Sequence, residues 1–262
     1  FPYNIGQAVT EPAGITETIK QVDWTVKHAV GPVIQSKQSV KNHLKEFGNY
    51  VPPVETFEHH SCHAASAFHP SGFEEALVVT MDGRGEYDCT VVWKANSSGL
   101  ERLRTYEYPN SLGFFFGAVT QFLGYYPNNG EGKIMGLAPY GNPNEEIENA
   151  LRTEIDTGLD YDVRSLSKGN FEYATQQLEE VFDRPRKDST DEFSQWERDL
   201  AYVTQKLVEE TVTDIVAHYA DRLDENRVCL AGGVALNCKV NKRVMELEGI
   251  DETFIQPVSN AA

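Results

Sequence analysis

Cysteine is scarce in this chain, four among 262 residues, and none stands in a Cys-x-x-Cys pair. Cys62, Cys89, Cys229 and Cys238 offer no disulfide framework, and each sits among apolar or small residues, as a buried thiol does. That usage fits a reducing cytoplasm. The sequence has no signal segment and no apolar run long enough to span a bilayer, so no membrane partner is expected. Basic residues are also few: 23 against 40 acids, for a formal net charge of −17. This balance argues against nucleic-acid binding through a broad basic face, while leaving room for a small basic phosphate pocket. The acids are spread along the chain rather than gathered in a tail, and solubility alone explains them. The opening Phe1-Pro2-Tyr3 has no initiator Met and reads as a chain entered partway. A hydrophobic content of 40% suffices for one large or two small cores.

Histidine, by contrast, is concentrated. Three of the seven fall in His59-His60-Ser61-Cys62-His63. His59 and His63 are four apart and share one face of a helix, a spacing that brings two imidazoles to one metal ion. The following Ala64-Ala65-Ser66-Ala67 favours a helix. Asp82, at the end of a β-branched run, could add an oxygen ligand, and two His with one carboxylate are a common divalent-metal set. The plainer reading is a helix start with half-buried, hydrogen-bonded histidines. His60 points away from the other two, toward packing or a supporting bond.

Along the chain, helical patterning is expected over Ile15–Val22 and Ser39–Phe47, and a short strand over Val51–Glu58. Ala76–Met81 reads as a buried strand, Asp82–Glu86 as a turn, and Cys89–Ala95 and Leu100–Tyr108 as the next two strands. An Asp with two glycines between strands can cradle phosphate oxygens, although Asp-Gly hairpin turns are common. Ser111–Leu123 reads as a helix capped by Ser111, with Phe114, Phe115, Phe116 and Phe122 in the core. In Glu131–Gly141 the glycines permit close backbone approach and Lys133 could meet a phosphate; a plain glycine-rich loop is the alternative. A helix is expected near Asn144–Glu154, then an insertion over Tyr161–Lys187 with a helix near Tyr173–Phe182. Glu192–Leu223 is long and amphipathic. It leads to the strand Arg227–Ala231, then to Gly232-Gly233 opening a helix, which is anion- or nucleotide-binding geometry. Thr253–Pro257 reads as a last strand.

Taken in order, HHSCHAASAF (59–68), DGRGE (82–86), SLG (111–113), EGKIMGLAPYG (131–141) and AGGVALN (231–237) resemble the nodulation-type O-carbamoyltransferases, which also serve antibiotic tailoring. The likeness covers roughly residues 50–260. It implies an α/β fold of the actin-like ATPase type, shared with sugar kinases and the Hsp70 ATPase, with two ribonuclease-H-like lobes and a nucleotide between them. Applied here, residues 1–72 are part of a first lobe carrying the His helix, and 73–262 a second lobe. Family members begin with a Gly-rich strand and a His-Asp pair ahead of this chain's start, so the first strands are expected to be missing. They also carry a later YrdC-like domain that makes carbamoyl adenylate from carbamoyl phosphate and ATP, which residues 1–262 do not resemble. Near Gln256–Ala262, members read on into an Asp-Ala-Gly turn whose Asp ligates the metal.

By this resemblance His59, His63 and Asp82 hold a divalent metal and carry the catalysis. The resemblance implies iron; the ligand set alone would accept zinc or manganese. Gly83, Gly85, Lys133, Gly232 and Gly233 would hold the nucleotide phosphate and ribose, and Asn237 a sugar or base contact. The expected reaction moves a carbamoyl group from carbamoyl adenylate to a hydroxyl of a sugar or antibiotic-like small molecule. Three alternatives stay open: a tRNA threonylcarbamoyl-transfer enzyme with the same His-x-x-x-His pattern, a non-catalytic actin-like nucleotide sensor, and a sugar kinase. The His-His start, the 131–141 motif and the shortage of basic residues favour small-molecule carbamoylation.

Overall fold

The computed structural model describes residues 31–48, 50–188 and 192–260. The expected helix at Ile15–Val22 lies outside them. The chain divides into two compact units, Phe1–Phe57 and Glu58–Ala262. In the first, helix α1 (Gly31–Phe47) takes in the expected Ser39–Phe47 segment and starts earlier. Residues 51–57 form no strand, contrary to expectation, since Pro52-Pro53 supplies no amide donors for a ladder.

The second unit is built on one mixed five-stranded sheet in the order β3-β2-β1-β4-β5. Its strands are β1 (Ala76–Gly85), β2 (Asp88–Asn96), β3 (Gly99–Glu107), β4 (Arg227–Ala231) and β5 (Glu252–Ile255). β1 pairs antiparallel with β2 and parallel with β4, β2 antiparallel with β3, and β4 parallel with β5. Only β2 therefore runs against the rest. The α/β class stands. The turn expected at Asp82 starts later, because β1 runs on through Gly85 with an irregular register after Met81.

β1 is buried along its first six residues, with helices over both faces. Its side chains alternate accordingly. Leu77, Val79 and Met81 point into the larger core with α3 (Leu112–Phe122) and α7 (Gln195–Leu223). Ala76 and Val78 point into a smaller core with Ala64, Ala67 and Phe68 of α2 (His59–Ser71). The His helix, expected to close a preceding lobe, thus packs on this sheet.

The remaining helices are α4 (Glu131–Leu137), α5 (Glu145–Arg152), α6 (Phe171–Phe182) and α8 (Cys238–Met245). Glu131–Gly141 is accordingly a short helix and one 3-10 turn rather than a loop. The segment read as an insertion is integral to the core: Tyr161, Val163, Leu166, Ala174 and Leu178 are buried in the main cluster, and Tyr161 stacks on Tyr106 at 4.6 Å. α7 starts on a Ser194/Glu197 capping box and buries Leu200, Val203, Leu207, Val208, Val212, Ile215 and Val216, the stripe its periodicity predicts. No described helix is long and apolar enough to cross a membrane.

Candidate metal centre and adjoining cavity

The start of α2 is fixed by Glu58, whose carboxylate accepts from the backbone N–H groups of His60 and Ser61 and from the Ser61 hydroxyl. Arg102 of β3 pairs with the same carboxylate at 2.7 Å, and with Asp88 at 2.6 Å. Burial alone would raise the Glu58 pKa, but the bonds from Ser61, the His60 and Ser61 amides and Arg102 outweigh it and hold it at about 2.

One turn of this helix sets His59 and His63 over the Asp82 end of β1. Asp82 Oδ2 lies 2.9 Å from His59 Nε2 and 3.1 Å from His63 Nε2, and the two nitrogens are 3.0 Å apart. His63 is fully buried, and His59 and Asp82 are partly so. No placement of protons satisfies all three contacts. With a hydrogen on both nitrogens, the imidazoles point donors at each other; with one, a bare nitrogen faces the carboxylate. A cation that accepts all three lone pairs removes the conflict, so these residues fit a divalent metal. Without one, the Asp82 carboxyl is held well below its usual range: burial opposes ionisation, and the His59, His63 and Gly83 bonds overcome it. The bond to Asp82 raises His59 against the effect of its own burial.

Next to the triad is a cavity of about 360 Å³. Asp82, Gly83, Gly233 and Asn237 line it, with an apolar floor from Leu112, Phe116, Phe171 and Val208. Four of the expected residues are thus brought together here. Others are placed differently. Gly85 presses against His59: a Cβ on it would lie 2.3 Å from the ring, so its bare backbone makes room for the imidazole. Gly232 has φ +92° and abuts the Met81 carbonyl, and its N–H donates to Ser259. Lys133 is exposed, rests over the Tyr125 ring at 4.6 Å and does not line the cavity. Asn237 caps α8 and exchanges two hydrogen bonds with Gln205, so both its side-chain heteroatoms are engaged within the protein.

Sequence reasoning gave no part to Glu58, Arg102, Phe171 or Gln205. Only Glu58, directly before a helix start, carried a readable signal, since acidic residues cap helices. Phe114, expected in the core, is half-buried and stacks on Phe171 at 4.7 Å.

Comparison with known proteins agrees with the motif reading. Residues 12–262 match the family described as Carbamoyltransferase N-terminus. The chain is 36% identical over 236 residues to the uncharacterized protein sll1178 of Synechocystis, covering 86% of this chain and 38% of that protein. It is 32% identical to nodulation protein NolO of Bradyrhizobium diazoefficiens, over 78% of this chain and 36% of that one. With nodulation protein NolNO of Sinorhizobium fredii it shares 30% identity, over 83% and 31% of the two chains. The chain thus spans about a third of the length of the curated relatives it matches. Among solved structures, (R)-2-hydroxyglutaryl-CoA dehydratase component A of Acidaminococcus fermentans aligns with a TM-score of 0.41 and 14% identity, covering 76% of this chain and 61% of that one.

Proposed function

Because this chain belongs to the carbamoyltransferase family, matching its N-terminal part, we propose that the protein carries a carbamoyl group from carbamoyl adenylate to a hydroxyl of a small molecule. The observation that carries this reading is the position of Asp82, which closes the histidine pair and also lines the cavity. His59, His63 and Asp82 would hold a divalent cation, iron by the family resemblance, which would supply positive charge beside the leaving phosphate. The apolar walls from Leu112, Phe116, Phe171 and Val208 hold the nucleoside half of the donor and keep water from it. Gly83 and Gly233 have no side chains and let the polar half approach the backbone beside Asp82. The acceptor oxygen bonds to the carbamoyl carbon as the bond from that carbon to the AMP phosphate oxygen breaks; AMP leaves with the electron pair, the hydroxyl proton passes to water, and the chain's part is to hold the two partners in line. Carbamoyl adenylate itself comes from carbamoyl phosphate and ATP on a YrdC-like domain of the whole protein. We place the reaction in the cytoplasm, with no nucleic acid or membrane as partner.

The test uses the full-length protein with carbamoyl phosphate, ATP and a panel of sugar and aminoglycoside acceptors. The His63→Ala variant should still form carbamoyl adenylate but lose bound metal and transfer together. Transfer that survives in the variant sinks the proposal. Nucleotide binding without transfer by the unsubstituted protein points instead to a nucleotide sensor.

A further inference from the structure

We infer that His60 is a positioning residue that sets the rotation of α2, and through it the convergence of His59 and His63 on Asp82. This rests on the metal reading of that triad. His60 is fully buried and both its ring nitrogens are engaged. Nε2 lies 3.0 Å from the Asp88 carbonyl, which only accepts, so Nε2 carries the hydrogen. Nδ1, 2.9 Å from Thr80 Oγ1, is then the nearer acceptor for the Thr80 hydroxyl, which the Val91 carbonyl also faces at 3.3 Å. Thr80 in turn accepts from Trp93 Nε1 at 3.1 Å. These partners are strand residues of β1 and β2, so His60 ties the helix directly to the sheet that presents Asp82.

Outside the triad, the other bond from this turn toward the sheet, His59 N–H to the Glu86 carboxylate, is longer at 3.3 Å and exposed. The buried face of α2 is Ala64, Ala67 and Phe68, and apolar burial does not by itself fix rotation. The common device for aiming a ligating imidazole is a hydrogen bond on its second nitrogen. His63 lacks it, because its buried Nδ1 has no partner among the described residues. The aim of that ring must come through the helix backbone. Glu58 fixes the first turn from one side; His60 fixes it from the sheet.

The experiment is a cobalt(II) titration of the full-length protein, followed by visible absorption, with thermal unfolding of each metal-free variant alongside. His60→Phe keeps the ring's bulk and removes both bonds; His60→Gln retains a donor toward Asp88. Cobalt affinity should fall about 10- to 100-fold in His60→Phe and recover in part in His60→Gln, as for other residues that orient metal ligands. If His60→Phe does not fold, Thr80→Val supplies the same comparison, with a smaller loss of affinity expected. A folded His60→Phe or Thr80→Val protein that binds cobalt as the unsubstituted protein does overturns the inference and leaves the triad intact. Cobalt binding unchanged in His63→Ala overturns the triad reading and this inference with it.

Discussion

Asp82, His59 and His63 act as one group, and substitutions around them separate space from charge. Gly85→Ala would drive a methyl into the His59 ring. We expect it to lower cobalt affinity at least about tenfold and to cost about 1–3 kcal/mol of stability, since the methyl would also lie 2.8 Å from His59 Cβ, which turning the ring does not move. Parallel cobalt titration and urea unfolding check this, and affinity unchanged in a folded variant refutes it. Lys133→Ala should leave nucleotide affinity within about twofold by calorimetry, because that ammonium rests on Tyr125 outside the cavity. A drop of tenfold or more would return Lys133 to the phosphate site. The histidine pair was legible because i,i+4 spacing is a local signal; Asp82 lies 23 and 19 residues from His59 and His63 and could be offered only as an added ligand. The contacts of Gly85 and Asn237 were not legible, since a ring pressed on a glycine and an amide paired across helices join residues distant in sequence.

At the level of the element, α2 depends on its first turn. The Glu58 pKa is about 2 in the folded chain against an ordinary 4.5, so its contribution is complete above the ordinary value. It is lost as pH falls through about 2, because protonation removes a charge that the fold stabilises. Glu58→Gln should therefore be less stable than the unsubstituted protein at pH 7, by about 1 kcal/mol for the lost cap and ion pair. The gap should close towards pH 2. Unfolding curves across that range decide it: a gap constant with pH assigns the effect to shape rather than charge. Most helices and strands were readable within a residue or two, Arg227–Ala231 at both ends, and α7 within three residues because its apolar stripe from Leu200 to Val216 keeps one period. Glu131–Gly141 was harder, since three glycines disguise a helix whose buried Ile134 sits on the main core.

For the molecule as a whole, stability comes from the larger core, which shares Leu112, Phe116 and Val208 with the cavity and is separable from the metal triad. Leu200→Ala, fully buried on α7, should cost about 2–5 kcal/mol. The metal affinity of the folded fraction should stay unchanged, which combined denaturation and cobalt titration would show; a tenfold loss of affinity would tie α7 to the triad. That the segment after α5 belongs to this core could not be read from its polar sequence. Tyr161 reaches the core from a stretch between helices that carries no periodicity, whereas Leu178 does so from α6. Position matters most at Asp82, which belongs to the triad and also lines the cavity. Whatever fills the cavity changes the surroundings of a cation's ligand, and whatever occupies the triad changes the charge that a cavity occupant meets. The two occupancies are therefore thermodynamically linked: each alters the affinity for the other by the same factor, so a donor analogue that tightens the metal must itself be bound more tightly when the metal is present.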